Sequence, residues 1–198
     1  MWLLMGAVPY LAVLLGMYVL SSAWFAILAY HLMMLASFLI LGNEPGLLLK
    51  GFNVRTVAPL SLAFSAGILS LYFLWPFLGG ELDTALIRLG LDPFWPFALY
   101  FPIVNPFLEE VYWRHLISQR IHIQWIGDLL FGGYHGLVLA FFVPWYFCVA
   151  ASLCLALIAT VLRNQVKSNG SLIPAIAVHT STDFAVVISV YLIIFFSR

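Results

Sequence analysis

Charge is what this chain has least of. Asp, Glu, Lys and Arg make up 8% of its 198 residues, against about 25% in an ordinary soluble domain. Hydrophobic residues reach 64% and mean hydropathy is +1.07. A water-soluble fold of this size has nowhere to hide so much apolar surface, so the solvent must be largely lipid. Lys+Arg and Asp+Glu balance at 8 each, which leaves no basic surface for nucleic acid. Cysteine is almost absent. Cys148 and Cys154 read as positions on one helix about 9 Å apart, too far for a bridge, and they report no redox compartment. The first 43 residues hold no Asp, Glu, Lys or Arg, and no basic segment precedes the first apolar run, so that run reads as a retained helix rather than a cleaved signal. No internal repeat, low-complexity tract or soluble domain is visible.

What is present is a series of apolar stretches near 20 residues long, the length that spans a bilayer as a helix. They predict an all-α, polytopic membrane bundle of about seven transmembrane helices: 2–20, 24–42 (split from the first at Ser21-Ser22), 57–78, 94–120, 124–144, 146–163 and 171–196. Between the third and fourth, Leu82, Leu86 and Leu89 have helical spacing and predict an interfacial helix near 81–91. With seven spans, Lys50, Arg55, Arg120, Arg163 and Lys167 fall on one side. The positive-inside rule then puts the N-terminus in the cytoplasm and the C-terminus outside, in what its small size marks as a prokaryotic membrane.

The fourth stretch is the anomaly. It holds Pro96, Pro102 and Pro106, and also Glu109, Glu110 and Arg114. Each charge at the middle of a membrane helix costs about 2.5–3.5 kcal/mol, so the three together oppose insertion by on the order of 8–10 kcal/mol unless neighbouring helices receive them. Intramembrane ionisable groups are functional candidates by default. Three pairs at i,i+4 stand out: Glu110 with Arg114, Phe131 with His135, and His179 with Asp183. At 1.5 Å per residue, Glu109, His135, His179 and Asp183 all lie about 13–19 Å in from the same basic side.

Glu109 and Glu110 are 100° apart on an α-helix, so they are expected to serve different ends. Glu110 faces Arg114 as a buried structural pair, and Glu109 is the free carboxylate, with Asn105 one turn earlier placed to hold it. Phe131 reads as a wall of the site and His31 as a satisfied hydrogen bonder. Asp128 reads as a helix cap or interfacial group, and His115 and His122 as interfacial. Gly132, Gly133 and Gly136 would let neighbouring segments come close to His135.

EEVYWR (109–114) reads as E-E-x-x-x-R, FGGYH (131–135) as F-x-x-x-H, and HTSTD (179–183) as H-x-x-x-D/N. In order and spacing these resemble the CPBP family, the CAAX prenyl protease and bacteriocin-processing intramembrane proteases, over roughly residues 94–190. The resemblance implies a catalytic core in 94–198, with the helices of 1–93 unassigned, and a glutamate-dependent endopeptidase. Glu109 would be the base, His135 its partner in activating water, and His179 and Asp183 would stabilise the oxyanion. Asp183 stands where the family allows Asn. An ionised carboxylate cannot donate to an oxyanion, so Asp183 either keeps His179 protonated or is itself protonated.

The partners implied are the lipid bilayer and a membrane-bound peptide or protein, lipidated or carrying a C-terminal sorting signal. Glu109, His135, His179 and Asp183 would also make a zinc set. Against that, no H-E-x-x-H pair is present, and the resemblance points to chemistry without a cofactor. Two other function classes fit the same residues. One is a non-catalytic scaffold or immunity protein. The other is a proton or solute transporter, although the internal repeat common in transporters is not evident.

Overall fold

The computed structural model describes residues 2–41, 54–78 and 82–196. Among these residues every regular element is helical. Helix α1 spans Trp2–Val13 and continues with π winding over Leu14–Val19. It turns back at Ser21, whose φ is 50°, into α2, Ala23–Leu41. Ser22 Oγ accepts the backbone N–H of Phe25 at 3.1 Å and so caps α2, which gives the expected break at Ser21-Ser22 its physical cause. The two helices approach closely because Gly16 has no side chain. A Cβ there would lie 2.4 Å from that of Ala26.

Helix α3 spans Val54–Leu78 and α4 spans Leu82–Arg88. The expected interfacial segment is thus a short helix, and its Leu82, Leu86 and Leu89 are buried in the main core. Its membrane-surface placement is an expectation that these contacts do not address. Lys50, one of the orienting basic residues, and Glu81, the first residue of that segment, lie outside the described residues.

The anomalous fourth stretch is helix α5, Trp95–Glu109, continued by a π-helical segment, Glu110–Ile117. Helix α6 spans Gln124–Leu139, shorter than the expected 124–144, because the chain turns over Ala140–Val143 before Pro144. Helix α7, Trp145–Asn169, runs past the expected end at 163. Its Arg163 meets Asp128 at 2.8 Å, and both Arg163 and Lys167 donate to Gln124 at the start of α6. These basic residues are absorbed by α6 and do not end the helix. It stops at Gly170, where φ is 60°, a left-handed closure suited to glycine. Helix α8 is Ile173–Phe196. Asp128 is therefore a buried partner of Arg163 and Thr160, one turn inside α6, and not a cap. Both cysteines are free.

Among the described residues, four helices are long and apolar enough to cross a membrane: Ala23–Leu41, Val57–Phe77, Trp145–Asn169 and Ile173–Phe196. The protein is an integral membrane protein built wholly of helices in its described part.

Helix α5 lies against α8, and α6 lies along α7. The α6–α7 contact depends on glycine. A Cβ at Gly132 would sit 2.2 Å from the carbonyl oxygen of Ser152, and one at Gly136 2.0 Å from Ser152 Oγ. Gly133 admits the Tyr10 hydroxyl in the same way. Small residues allow such approach where lipid supplies no hydrophobic drive between helices. Gly132→Ala must push a backbone carbonyl aside and is expected to cost about 1–3 kcal/mol. Gly67→Ala, with nothing within 4 Å of the new Cβ, is expected to be neutral or to stabilise by up to about 1 kcal/mol. Equal melting of the two variants in detergent would contradict the α6–α7 packing.

Candidate active site

Glu109 is 1% exposed, Glu110 0% and Arg114 4%, so all three charges of the fourth stretch are enclosed. Glu110 Oε2 lies 3.4 Å from Arg114 Nε, one helical turn on, as its spacing predicts. The Arg114 guanidinium carbon stands 4.6 Å above the centre of the Phe131 ring, so Phe131 is a wall that also faces a cation. The ring further meets His135 at 4.5 Å and His179 at 6.2 Å between centroids.

His179 is the hub. Its Nδ1 is 2.9 Å from Glu110 Oε1, while its Nε2 is 3.5 Å from Glu109 Oε2 and 3.6 Å from Asp183 Oδ1. Neighbouring residues of an α-helix point 100° apart, which predicts that Glu109 and Glu110 serve different ends. The winding changes to i→i+5 at Glu110, which turns each residue through a smaller angle. The imidazole of α8 lies between the two carboxylates and touches both. Glu110 is thus more than a staple for Arg114. Carboxylates accept and do not donate when ionised, so a His179 carrying both ring hydrogens donates to Glu110 through Nδ1 and turns its Nε2 hydrogen toward Glu109 and Asp183.

Asn105 departs from expectation. Its amide donates to Asp183 Oδ2 at 3.1 Å and not to Glu109. Its Oδ1 is 3.1 Å from His31 Nε2, and His31 Nδ1 is 2.8 Å from the Tyr100 hydroxyl. The side chain of Asn105 is turned by His31, on α2, toward α8. His31 is satisfied at both nitrogens, as expected, and those bonds link it to the site. His115 is buried, with Nδ1 3.2 Å from the Gln119 amide, while His122 is exposed.

His135 reaches the cluster through a residue the sequence reading passed over. The Tyr134 hydroxyl donates to Glu109 Oε1 and lies 3.2 Å from His135 Nε2. Tyr134 carries no expectation of its own among the chain's many aromatic residues. Its place beside His135 in FGGYH was the available signal, and only the depth of the phenol shows its use. Among the described residues, no three His, Cys, Asp or Glu side chains converge as metal ligands.

Glu109, Glu110, His135, His179 and Asp183 thus share one buried polar cluster, with Arg114, Phe131 and Asn105 against it. The family model described as "Type II CAAX prenyl endopeptidase Rce1-like" matches residues 91–185, the stretch that carries all of them. This stretch is a CPBP-family core. The family is a family of proteases, and its matched span ends two residues past Asp183. No curated protein and no solved structure matches the chain. Within the CPBP core, the buried ion pair generates a stability prediction. Removing Glu110 leaves Arg114 charged and without a carboxylate, and removing Arg114 leaves Glu110 with His179 alone, so Glu110→Ala and Arg114→Ala are expected to cost up to about 3–5 kcal/mol. Detergent melting and the yield of folded protein measure this, and a variant that melts like the parent would show that the pair does not hold the site together.

Proposed function

We propose that the chain is an intramembrane endopeptidase that hydrolyses a peptide bond with water activated by Glu109 and His135. His179, held by Asp183 and Glu110, donates to the developing oxyanion. The observation that carries this reading is the state of Glu109. One of its oxygens is held by Tyr134, and the other is buried without a hydrogen bond and faces His179. A carboxylate fixed at one oxygen and open at the other is placed to take a proton from water, and a donor beside it is placed to meet the charge that forms on the carbonyl. Asp183 supports this as the acceptor that orients His179, with its own orientation set by Asn105.

The proposal needs no metal. It gives the protein seven membrane crossings, with the N-terminus in the cytoplasm and the C-terminus outside. Arg163 and Lys167 meet Gln124, just beyond Arg120, so these three basic residues gather at one end of the bundle. The substrate class is a membrane-anchored peptide, lipidated or bearing a C-terminal sorting signal, in a prokaryotic membrane.

The test uses quenched fluorescent peptides, one ending in a farnesylated CAAX tail and one anchored by an apolar helix with no lipid. Glu109→Gln keeps the shape and removes the base, and is expected to lower turnover of the cleaved probe by about 10²–10⁴-fold with near-normal melting. His135→Ala is expected to be equally impaired. Activity should persist through prolonged phenanthroline treatment. Wild-type turnover by Glu109→Gln would end the assignment, and loss on chelation restored by a divalent ion would turn these residues into ligands. Orientation is checked separately: a reporter at the C-terminus should read as extracytoplasmic, and the opposite labelling would overturn the topology.

A further inference from the structure

The hydrogen count around Tyr134 carries an inference that rests on the reading of Glu109 and His135 as the water-activating pair. Among the described residues no direct hydrogen bond joins those two side chains. His135 Nδ1 faces the carbonyl oxygen of Phe131 at 2.8 Å. A carbonyl only accepts, so Nδ1 carries a hydrogen and Nε2 is the nitrogen left to gain or lose one. Nε2 lies 3.2 Å from the Tyr134 oxygen, which also contacts Glu109 Oε1. With Glu109 ionised and His135 neutral, the phenol supplies one hydrogen to these two contacts, and a proton taken from water supplies the second. The second sits either on Glu109 Oε1 or on His135 Nε2. These two arrangements are the ends of one track, and each becomes the other when both hydrogens move one place.

We propose that Tyr134 is the proton relay between Glu109 and His135. In the step, water adds its oxygen to the scissile carbonyl carbon and gives one proton to Glu109 Oε2, and a half-turn of the carboxyl group brings that proton to the Tyr134 side. That proton passes to the Tyr134 oxygen as the phenol's own hydrogen passes to His135 Nε2. When the C–N bond breaks, His135 gives the hydrogen to the departing amine. Glu109 ends ionised, Tyr134 a phenol and His135 neutral, so the water is divided between the new acid and the new amine with nothing left over.

The ring is built to stay in place. It stacks on Trp113 at 6.0 Å with planes 2° apart, and meets Phe131 at 5.8 Å and Tyr30 at 5.4 Å. Trp113 is in turn fixed by donating to the Tyr30 hydroxyl at 2.8 Å. Tyr134→Phe keeps these ring contacts and removes the relay atom together with its contact to the Tyr30 hydroxyl.

The test reads His135 directly, without a substrate. The protein is labelled with ¹⁵N-histidine in detergent, and the His135 Nε2 resonance is compared among the parent, Glu109→Gln, Tyr134→Phe and the double variant. Arg114 and His179 also act on His135, so the cycle and not any single variant isolates the hydroxyl. The change produced by Glu109→Gln is expected to fall to under about half once the phenol is gone. On whichever peptide probe is cleaved, Tyr134→Phe should lower kcat by about 10²-fold, with KM unchanged. An equal Nε2 change with and without the phenol, or a wild-type kcat for Tyr134→Phe beside an inactive Glu109→Gln, would overturn the relay and leave Glu109 in its role. An active Glu109→Gln would instead overturn the reading on which the relay rests.

Discussion

Two adjacent carboxylates enclosed in an apolar bundle set the terms for everything around them. An ionised side chain removed from water costs several kcal/mol unless it is paired and hydrogen-bonded. Glu109 and Glu110 bring that cost twice in consecutive positions, at 1% and 0% exposure. The chain meets it with groups from several elements: Arg114 one turn on, His179 from α8 and Tyr134 from α6. The Phe131 face lies under the guanidinium, and the glycines of α6 let α7 close against the helix that carries Tyr134 and His135. The polar network is enclosed by the same contacts that make it tolerable, because a low local dielectric strengthens each of its bonds.

Much of this was legible in the sequence. The seven apolar stretches all appear as helices, and the break at Ser21-Ser22 is where the chain turns. The i,i+4 spacing of Glu110 with Arg114 and of His179 with Asp183 is realised as contact. Those features are written in local periodicity, which one chain displays without help. Helix ends were less legible. Arg163 looked like a terminus because its partner, Asp128, is 35 positions away in the chain.

The sequence said least where the outcome depended on winding or on reach. The 100° rule separated Glu109 from Glu110, but nothing in EEVYWR announces that the helix opens to π winding there. Asn105 has the right spacing to meet Glu109 on its own face. It turns to Asp183 because His31 takes its oxygen, and that contact spans 74 residues. Tyr134 is hidden by number, as one of 33 Phe, Trp and Tyr residues in the chain (17 Phe, 7 Trp and 9 Tyr).

The bond from His31 to Asn105 also bears on how separable the protease core is. The family resemblance begins at residue 91, yet the orientation of an amide inside that core is fixed by an imidazole far upstream. A fragment cut at the family boundary would keep every motif residue and lose the hydrogen that tells Asn105 which way to face. Its amide could then present oxygen to Asp183, acceptor against acceptor, and the tether on Asp183 would become a repulsion. Motif completeness and functional completeness part company at that one bond. A transplant of this core onto other helices would have to carry a donor for Asn105 with it.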